Sequence, residues 1–209
     1  AQDSTVTETN ALYAESSAVN GTGLYLSNSQ YSLSDSTLAN MSATHSGGAV
    51  YASGGSTVTT MNSQFKAHVA TWYGGVFYLD ASSSATATNN TYQNNGAYNG
   101  KFEIFSFWFS LGGVYHIENG QLTEKDSNYI ATNAYYGGGV DLENSQYSVS
   151  TTTYSNLKSI KDGGVVYADN STVTIDSCQF VSNIATNGAV CAVKYSSTLT
   201  STNNTYQYN

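Results

Sequence analysis

Several acidic side chains occupy matching places in successive copies of a short pattern that begins with two glycines. If the copies stack as neighbouring strands of a parallel sheet, equivalent residues lie about 4.8 Å apart. Two carboxylates about 5 Å apart suit the acid and nucleophile of a retaining glycosidase, and a strip of oxygen ligands can hold Ca²⁺. We call Asp80, Glu118, Glu143 and Asp169 the acidic strip, and His116 and Asp141 lie beside it. The alternative, which we favour, is a solvated face that keeps the protein soluble.

Other patterns that carry catalytic chemistry are missing from the sequence. There is no G-x-S-x-G, H-E-x-x-H, P-loop or C-x-x-C motif, so hydrolase, zinc and nucleotide-binding functions have no local support. His45, His68 and His116 fall in different copies or phases of the pattern, so they do not form a metal cluster. We therefore expect neither a metal nor another cofactor.

The composition excludes further classes of function. The chain of 209 residues has a net charge of −8, and its six basic residues are all lysines. Nucleic acid is not expected as a partner, because phosphate binding needs clustered Lys and Arg. No apolar run reaches about 18 residues, so no membrane-spanning helix is predicted. The abundance of Ser, Thr and Tyr favours strands over long helices.

A glycine-rich block recurs along the chain. Its copies are GTGLYLSNS (21–29), GGAVYASGG (47–55), GGVFYLDAS (74–82), GGVYHIENG (112–120), GGGVDLENS (137–145), GGVVYADNS (163–171) and NGAVCAVKY (187–195). Each is followed by a second block of the type STVTTMNSQF (56–65), and one unpaired second block starts at Ser4. Most copies are about 25 residues apart, which is typical of a solenoid.

Each block alternates between apolar and other residues. In the glycine block, pairs such as Val50 and Ala52 alternate with a mostly tyrosine column, which predicts a strand with one buried face. We expect this column to point outward, and it contains Tyr25, Tyr51, Tyr78, His116, Asp141, Tyr167 and Cys191. The second block ends in an aromatic column that includes Phe65 and Tyr92, and a small column that includes Ala70 and Ala97 follows five residues later.

Two or three short strands per copy, with each coil resting on the next, predict an all-β parallel β-helix. We expect one domain over residues 1–209 with about eight single-stranded rungs, or part of a longer repeat array. Asn28, Asn119, Asn144 and Asn170 fall at the turn between the first two strands, where Asn tolerates left-handed backbone. An aromatic-rich insertion interrupts the period at about residues 96–111.

The pairing of GGAV-type blocks with F-x-x-N, as in Phe180-Val-Ser-Asn183, resembles the polymorphic outer-membrane protein repeat. That family consists of pectin-lyase-like, right-handed parallel β-helices of surface and adhesion proteins. The Asn of F-x-x-N is replaced by His68, Thr132 or Leu157 in other copies. The resemblance implies a right-handed helix and a role at the cell surface. Lyases of this fold class are expected to use a basic residue, commonly arginine, which this chain lacks, so the resemblance does not favour lyase chemistry.

We therefore expect a non-enzymatic, extracellular or cell-surface protein that is structural or adhesive and forms a surface layer or filament. The alternative is a β-helix that binds or cleaves polysaccharide through the outer acidic strip. Catalytic residues are expected only under this alternative, and they would be Glu118, Glu143, Asp141 and His116. Glycans are the partners under that alternative, and outward tyrosines are suited to stack on sugar rings.

Copies of the chain itself are the expected partners under the first interpretation. Uncapped solenoid ends attract further strands, so end-to-end stacking is expected. The insertion has an apolar segment that is unusual for a surface loop, and exposed aromatic side chains mark interaction sites. The alternative is that this segment folds back over a flank of its own rod, but we favour contact with a neighbouring subunit. The expected interface residues are Phe102, Ile104, Phe105, Phe107, Trp108 and Phe109.

Two further features concern modification. Sequons begin at Asn20, Asn40, Asn89, Asn170 and Asn203. Of these, Asn170, Asn20 and Asn40 are the expected glycosylation sites, whereas Asn89 and Asn203 share a turn column that is suited to a side-chain ladder. Cys178 and Cys191 lie about half a coil apart, farther than a disulfide reaches, so no bond within the chain is expected.

Overall fold

The computed structural model describes residues 1–97 and 110–209, and every regular element in these two ranges is a β-strand. The strands form four sheets, in which each strand pairs in parallel with its equivalents in the rungs before and after it. The predicted parallel β-helix is therefore confirmed. Within the described ranges, no helix is long and apolar enough to cross a membrane.

Sheets I and II are built from the two repeated blocks. The strands of sheet I are Leu24–Ser27, Val50–Ser53, Phe77–Leu79, Tyr115–Glu118, Val140–Glu143, Val166–Asp169 and Cys191–Lys194. The strands of sheet II are Thr5–Thr9, Gln30–Ser34, Thr57–Met61, Ser84–Thr88, Gln121–Lys125, Gln146–Ser150, Thr172–Asp176 and Thr198–Thr202.

Sheets III and IV complete each rung. The strands of sheet III are Leu12–Ala14, Thr37–Ala39, Gln64–Lys66, Thr91–Gln93, Asn128–Ile130, Thr153–Ser155, Gln179–Val181 and Thr205–Gln207. The strands of sheet IV are Ser17–Asn20, Ser42–Ser46, Val69–Ala70, Gly96–Ala97, Asn133–Tyr136 and Lys158–Asp162. Sheets II and III have eight strands each, which agrees with the prediction of about eight rungs.

The core is made of like residues stacked on like. The aromatic column pairs rung by rung in the predicted register, as Phe65 with Tyr92 and Tyr154 with Phe180. Their rings are parallel and in contact, with centroids 5.3 Å and 5.1 Å apart. The small column also pairs as predicted, with Ala70 between Ala43 and Ala97. A large column beside a small one allows the side chains to share the narrow interior, and members of both columns are buried.

The predicted bounds of the insertion are too wide. Gly96–Ala97 is a strand of sheet IV that pairs with Val69–Ala70, and Leu111 bridges Tyr73 and Tyr136. Gly96 and Ala97 continue the regular columns of the rung, which is why they remain in the sheet. The predicted interface residues Phe102, Ile104, Phe105, Phe107, Trp108 and Phe109 lie outside the described residues, so that prediction stays open.

One register in the last rung differs from the prediction. Cys191 pairs with Val166, whereas Ala192 pairs with Tyr167 and so takes the outward place expected for Cys191. The difference arises because Asn187 pairs with Asp162 instead of standing in the first glycine column. Gly188, at φ +62°, takes that place.

The corners between sheets rely on left-handed residues. Asn28, Asn119, Asn144 and Asn170 have φ between 46° and 54°, as predicted for the turn between sheets I and II. At the next corner the side chains form a ladder, in which Asn89 donates to Asn62 Oδ1 at 2.9 Å and Asn62 donates to Asp35 Oδ1 at 3.0 Å. The expected ladder at Asn89 is therefore confirmed.

The F-x-x-N element joins rungs through a buried amide. Asn95 Oδ1 accepts a hydrogen bond from the backbone N–H of His68 at 2.8 Å, and Asn95 Nδ2 donates to the carbonyl of Phe65 at 2.9 Å. Asn183 bonds Leu157 and Tyr154 in the same way. His68 replaces Asn in its own rung, where its Nδ1 accepts from the N–H of Met41 at 3.3 Å.

The paired glycines allow two backbones to approach closely. Gly47 is left-handed, with φ +63°, and a Cβ on Gly48 would lie 2.0 Å from the carbonyl oxygen of Gly75 in the next rung. No Cβ tolerates that distance from a backbone atom, so the spacing between rungs requires glycine at the second position of the pair.

We predict that Gly48→Ala lowers the free energy of unfolding by about 3 kcal/mol or more, because two hydrogen-bonded rungs must separate. Gly55→Ala is the control, since a Cβ there meets nothing within 4 Å and only the backbone angle of +74° is strained. This control should lose about 1 kcal/mol. Urea unfolding followed by far-ultraviolet circular dichroism measures both, and equal losses would contradict the close-approach explanation.

Candidate functional site

Sheet I brings the predicted acidic residues together on adjacent strands. His116 pairs with Asp141, and Glu118 pairs with Glu143, as direct neighbours across two rungs. Asp169 follows as the partner of Glu143 in the next rung. Because parallel strands are about 4.8 Å apart, the row of acids predicted from the sequence exists as a continuous feature of this sheet.

Two members of the predicted catalytic set are buried. His116 Nδ1 and Asp141 Oδ2 are 2.6 Å apart, and each residue is only 2% exposed. The ring of Tyr73 stacks on His116 with centroids 4.9 Å apart. The two residues therefore lie on the predicted side of the strand but are not accessible to solvent, and the ring of Tyr73 covers His116.

The buried carboxyl of Asp141 is only half satisfied. Its Oδ2 contacts His116, whereas its Oδ1 has no hydrogen-bond partner within the described part of the chain. Burial raises the pKa of Asp141, and the hydrogen bond from His116 opposes that shift. The pair resembles the orienting half of a catalytic triad, but this structure gives a substrate no access to it.

Glu118 and Glu143 remain at least partly open to solvent. Tyr78 donates its hydroxyl proton to Glu118 Oε2 at 3.1 Å. Partial burial raises the pKa of Glu143, and the negative charge of Glu118 raises it further. Asp80 accepts a hydrogen bond from the Tyr51 hydroxyl at 3.0 Å, and partial burial still raises its pKa. The acids therefore repel one another, and no lysine of the described residues forms an ion pair with them.

The outer tyrosines form a stack instead of a row of separate platforms. Tyr25 and Tyr51 lie 4.8 Å apart with 2° between their planes, and Tyr51 and Tyr78 lie 4.9 Å apart. Tyr78 in turn stacks on His116 at 5.3 Å. Both faces of Tyr51 and Tyr78 are thus covered by neighbouring rings. A sugar ring stacks on an open aromatic face, so the structure does not favour the stacking suggested by the sequence.

The lysine of the last rung makes a different contact from the one its strand position suggests. Lys194 pairs with Asp169 through the backbone register, but its Nζ lies 2.6 Å from Asp162 Oδ2 and 5.4 Å from the ring centre of Tyr167. The buried Asp162 also accepts from Asn187 Nδ2 at 2.6 Å. Lys194 therefore neutralises Asp162 and leaves the acidic strip uncompensated.

No group of three or more His, Cys, Asp or Glu side chains in the described residues has a geometry that could hold a metal ion. The buried His68 is isolated from the acidic residues of sheet I, and burial lowers its pKa to about 4. Cys178 and Cys191 are both free thiols, in agreement with the expectation of no disulfide between them.

The predicted glycosylation sites differ in their surroundings. Asn170 and Asn40 are exposed at left-handed corners. Asn170 Nδ2 donates to Asn144 Oδ1 at 2.7 Å, so it belongs to a side-chain ladder of the kind found at Asn89. Asn20 is half-buried, and its Oδ1 accepts from the N–H of Ser46 at 3.2 Å.

The sequence analysis did not predict one buried carboxyl group. Glu124 is 1% exposed and points inward from sheet II. The signal was its place in the strand, two residues after the inward Leu122, and therefore on the same face. An acidic residue at an inward position normally indicates that the strand has been assigned wrongly. Here hydroxyl groups of the core donate hydrogen bonds to the carboxyl.

The fold and this surface define a parallel β-helix with a partly open acidic strip on one sheet. Residues 2–206 match the family described as "Right handed beta helix region". The chain belongs to that family, and the right-handedness implied by the resemblance is thereby supported. No curated protein and no solved structure matches the chain.

We predict that Glu118→Gln lowers the pKa of Glu143 toward its ordinary value, because the variant removes a negative charge from the paired position. Carbon-detected NMR titration of the side-chain carboxyls measures this directly. Asp126→Asn is the control, since Asp126 lies at a corner after sheet II and should leave Glu143 unchanged. An unchanged pKa in Glu118→Gln would show that the two acids are not coupled.

Proposed function

We propose that this protein is a non-enzymatic, extracellular structural or adhesive β-helix that self-associates as a subunit of a surface layer or filament. The supporting observation is the unbroken stacking of equivalent residues from the first rung to the last. Sheet II begins with Thr5–Thr9 and ends with Thr198–Thr202. Among the described residues, each of these strands has one neighbouring strand, so each has a backbone edge that can accept another rung.

The core columns support stacking in the same register. Tyr206 stacks on Phe180 with centroids 5.1 Å apart, and it is 52% exposed. Its free face is suited to an aromatic residue of a further rung, such as Tyr13 of a second copy. If the chain were longer, the next rung of the same chain would pack against this face of Tyr206.

The chemistry of sheet I is the second support for a non-enzymatic role. Catalysis by paired carboxylates needs one group that holds a proton and another that is ionised, both next to the substrate. Glu118 and Glu143 are accessible, but the imidazole of His116 and the carboxyl of Asp141 are buried. Two of the four predicted catalytic residues are therefore closed to a substrate in this structure.

The insertion contributes a second contact in this proposal. Its aromatic residues, Phe102 to Phe109 in sequence, pack onto a neighbouring subunit and set lateral contacts. Burial of an aromatic side chain contributes roughly 1.5 to 3 kcal/mol before ordering is counted. Glycans on Asn170, Asn40 or Asn20 and the polar surface fit the extracellular location that we propose.

A second candidate function is the binding or cleavage of a polysaccharide along the acidic strip. The observation in its favour is the raised pKa of Glu143 and of Asp80, because a carboxyl with a raised pKa is suited to donate a proton to a glycosidic oxygen. Amine-bearing glycans would also relieve the repulsion between the acids.

We predict that the 209-residue chain forms rods in electron micrographs that lengthen by about 38 Å per subunit, because each copy in a sheet of eight strands adds eight rung steps of about 4.8 Å. Tyr206→Glu should abolish axial stacking, because it places a charge on the free end of the aromatic column. Tyr195→Glu is the control, since Tyr195 is 82% exposed at a corner of the same rung.

The double variant Phe107→Ser and Trp108→Ser tests the lateral contact in the same experiment. It should separate neighbouring rods and leave axial stacking and the circular dichroism of the strands intact. A wild-type chain that remains monomeric at millimolar concentration would refute self-association. Unfolding of the double variant, with normal assembly of the folded fraction, would refute the role of the insertion alone.

The second candidate requires a glycan array and a turnover assay with neutral, acidic and amine-bearing polysaccharides. We predict no turnover by the wild-type chain. If any glycan is bound or cleaved, the double variant Glu118→Gln and Glu143→Gln should lose that property, and the control Asp126→Asn should keep it. Turnover lost in the double variant would overturn the non-enzymatic proposal.

A further inference from the structure

Glu124 is an ionisable group in the middle of an otherwise uncharged part of the core. It belongs to the fifth strand of sheet II, Gln121–Lys125. Its neighbours in the same column are Ala87 in the rung before and Val149 in the rung after. The position is therefore an apolar one in adjacent rungs, and burial of a charge there is strongly unfavourable.

The two oxygens of this carboxyl have different surroundings. Oε2 accepts hydrogen bonds from the hydroxyl of Tyr129 in its own rung at 2.7 Å and from the hydroxyl of Tyr147 in the next rung at 2.8 Å. Oε1 has no hydrogen-bond partner among the described residues. Two hydroxyl donors satisfy half of an ionised carboxylate, and the other half remains without solvation.

The titratable groups packed around Glu124 are acids that stay neutral at ordinary pH. They come from its own rung, from the rungs on both sides and from the turn before the sheet III strand of the seventh rung. These groups are Tyr92, Tyr115, Tyr129, Tyr147, Tyr154 and Cys178. No Lys or His of the described residues faces Glu124. Lys125, the next residue, is exposed on the opposite face.

A glutamate with tyrosine donors at the same sequence intervals occurs a second time in the chain. Glu8 accepts hydrogen bonds from Tyr13, five residues later, and from Tyr31, 23 residues later. Tyr129 and Tyr147 follow Glu124 at the same two intervals. Glu8 lies in the first rung, where it is only half-buried. The two sites differ in burial and in hydrogen bonding, because Tyr13 and Tyr31 donate to different oxygens of Glu8, Oε1 and Oε2, so that neither oxygen is left without a partner.

We propose that Glu124 is a buried proton-binding switch, which is a neutral carboxylic acid in the most stable form of the rod and weakens the fifth and sixth rungs when it ionises. In the neutral form Oε2 still accepts from both tyrosines. The proton on Oε1 removes the charge, and an unpaired O–H in the core is far less costly than an unpaired charge.

The direction of the pH effect follows from burial. Burial raises the pKa of Glu124 to about 7 from its ordinary 4.5, although the hydrogen bonds from Tyr129 and Tyr147 oppose the shift. Between these two pH values the folded chain holds a proton that the unfolded chain has lost. Folding is therefore less favourable as the pH rises from 4.5 to 7, by roughly two orders of magnitude in the folding equilibrium constant.

The experiment compares urea unfolding of the wild type, Glu124→Gln and Glu8→Gln at a series of pH values from 4.5 to 8.5. Glu124→Gln keeps an acceptor for both tyrosines and cannot ionise. The ratio of its folding equilibrium constant to that of the wild type should therefore rise by roughly a hundredfold from pH 4.5 to 8.5. Glu8→Gln should keep the pH dependence of the wild type. Parallel curves for the wild type and Glu124→Gln would overturn the proposal.

A second measurement guards against a variant that does not fold. Selective carbon labelling of glutamate carboxyls in the wild-type chain allows NMR titration of Glu124 itself, and Glu124→Val, which copies Val149, assigns the signal. A carboxyl that titrates near pH 7 supports the switch, and one that titrates near pH 4.5 overturns it. Neither result depends on self-association or on glycan binding.

Discussion

Each rung is attached to the next by backbone hydrogen bonds between residues about 25 positions apart, as in the register of Thr5 with Gln30. This parallel, in-register stacking forces every side chain to lie above its equivalent in the previous rung. The residues of one column must therefore pack favourably against one another, and the columns of this chain do so in different ways. Phenylalanine and tyrosine rings stack face to face, asparagines exchange hydrogen bonds, and glycines permit a carbonyl to approach. Acidic residues are the exception, because like charges in a column repel.

Much of the architecture could be predicted from the sequence because the stacking rule acts on residue types that are easy to read. The aromatic, small and glycine columns, the strand alternation and the left-handed asparagines at corners all follow from local chemistry. The register of Cys191 was harder to predict from the sequence. Asn187 stands where the repeat has its first glycine in the sequence, but in the structure it pairs with Asp162, the residue before that glycine. A one-residue ambiguity of this kind is resolved only by the pairing of the whole rung.

The candidate site was less predictable than the fold. The sequence places His116 and Asp141 on the outward side of a strand, and that part is correct. Outward does not mean accessible, however, because Tyr73 reaches His116 from the preceding rung, where it lies just before the sheet I strand. Alternation along a strand carries no information about such a cover. The same limitation applied to Glu124, whose acceptance in the core depends on hydroxyls that come from two other strands.

The corner that carries the insertion shows how little a solenoid is constrained between its strands. The N–H of Ser63 bonds the side chain of Asn90, 27 residues later, and the N–H of Asn90 bonds the side chain of Ser127, 37 residues later. The extra ten residues leave sheets I, II and III in register, and in sheet IV Gly96 still pairs with Asn133. By loop-closure entropy they cost only about 0.3 kcal/mol. A corner of this solenoid can therefore change in length at little cost in folding free energy, while the rungs on either side remain paired.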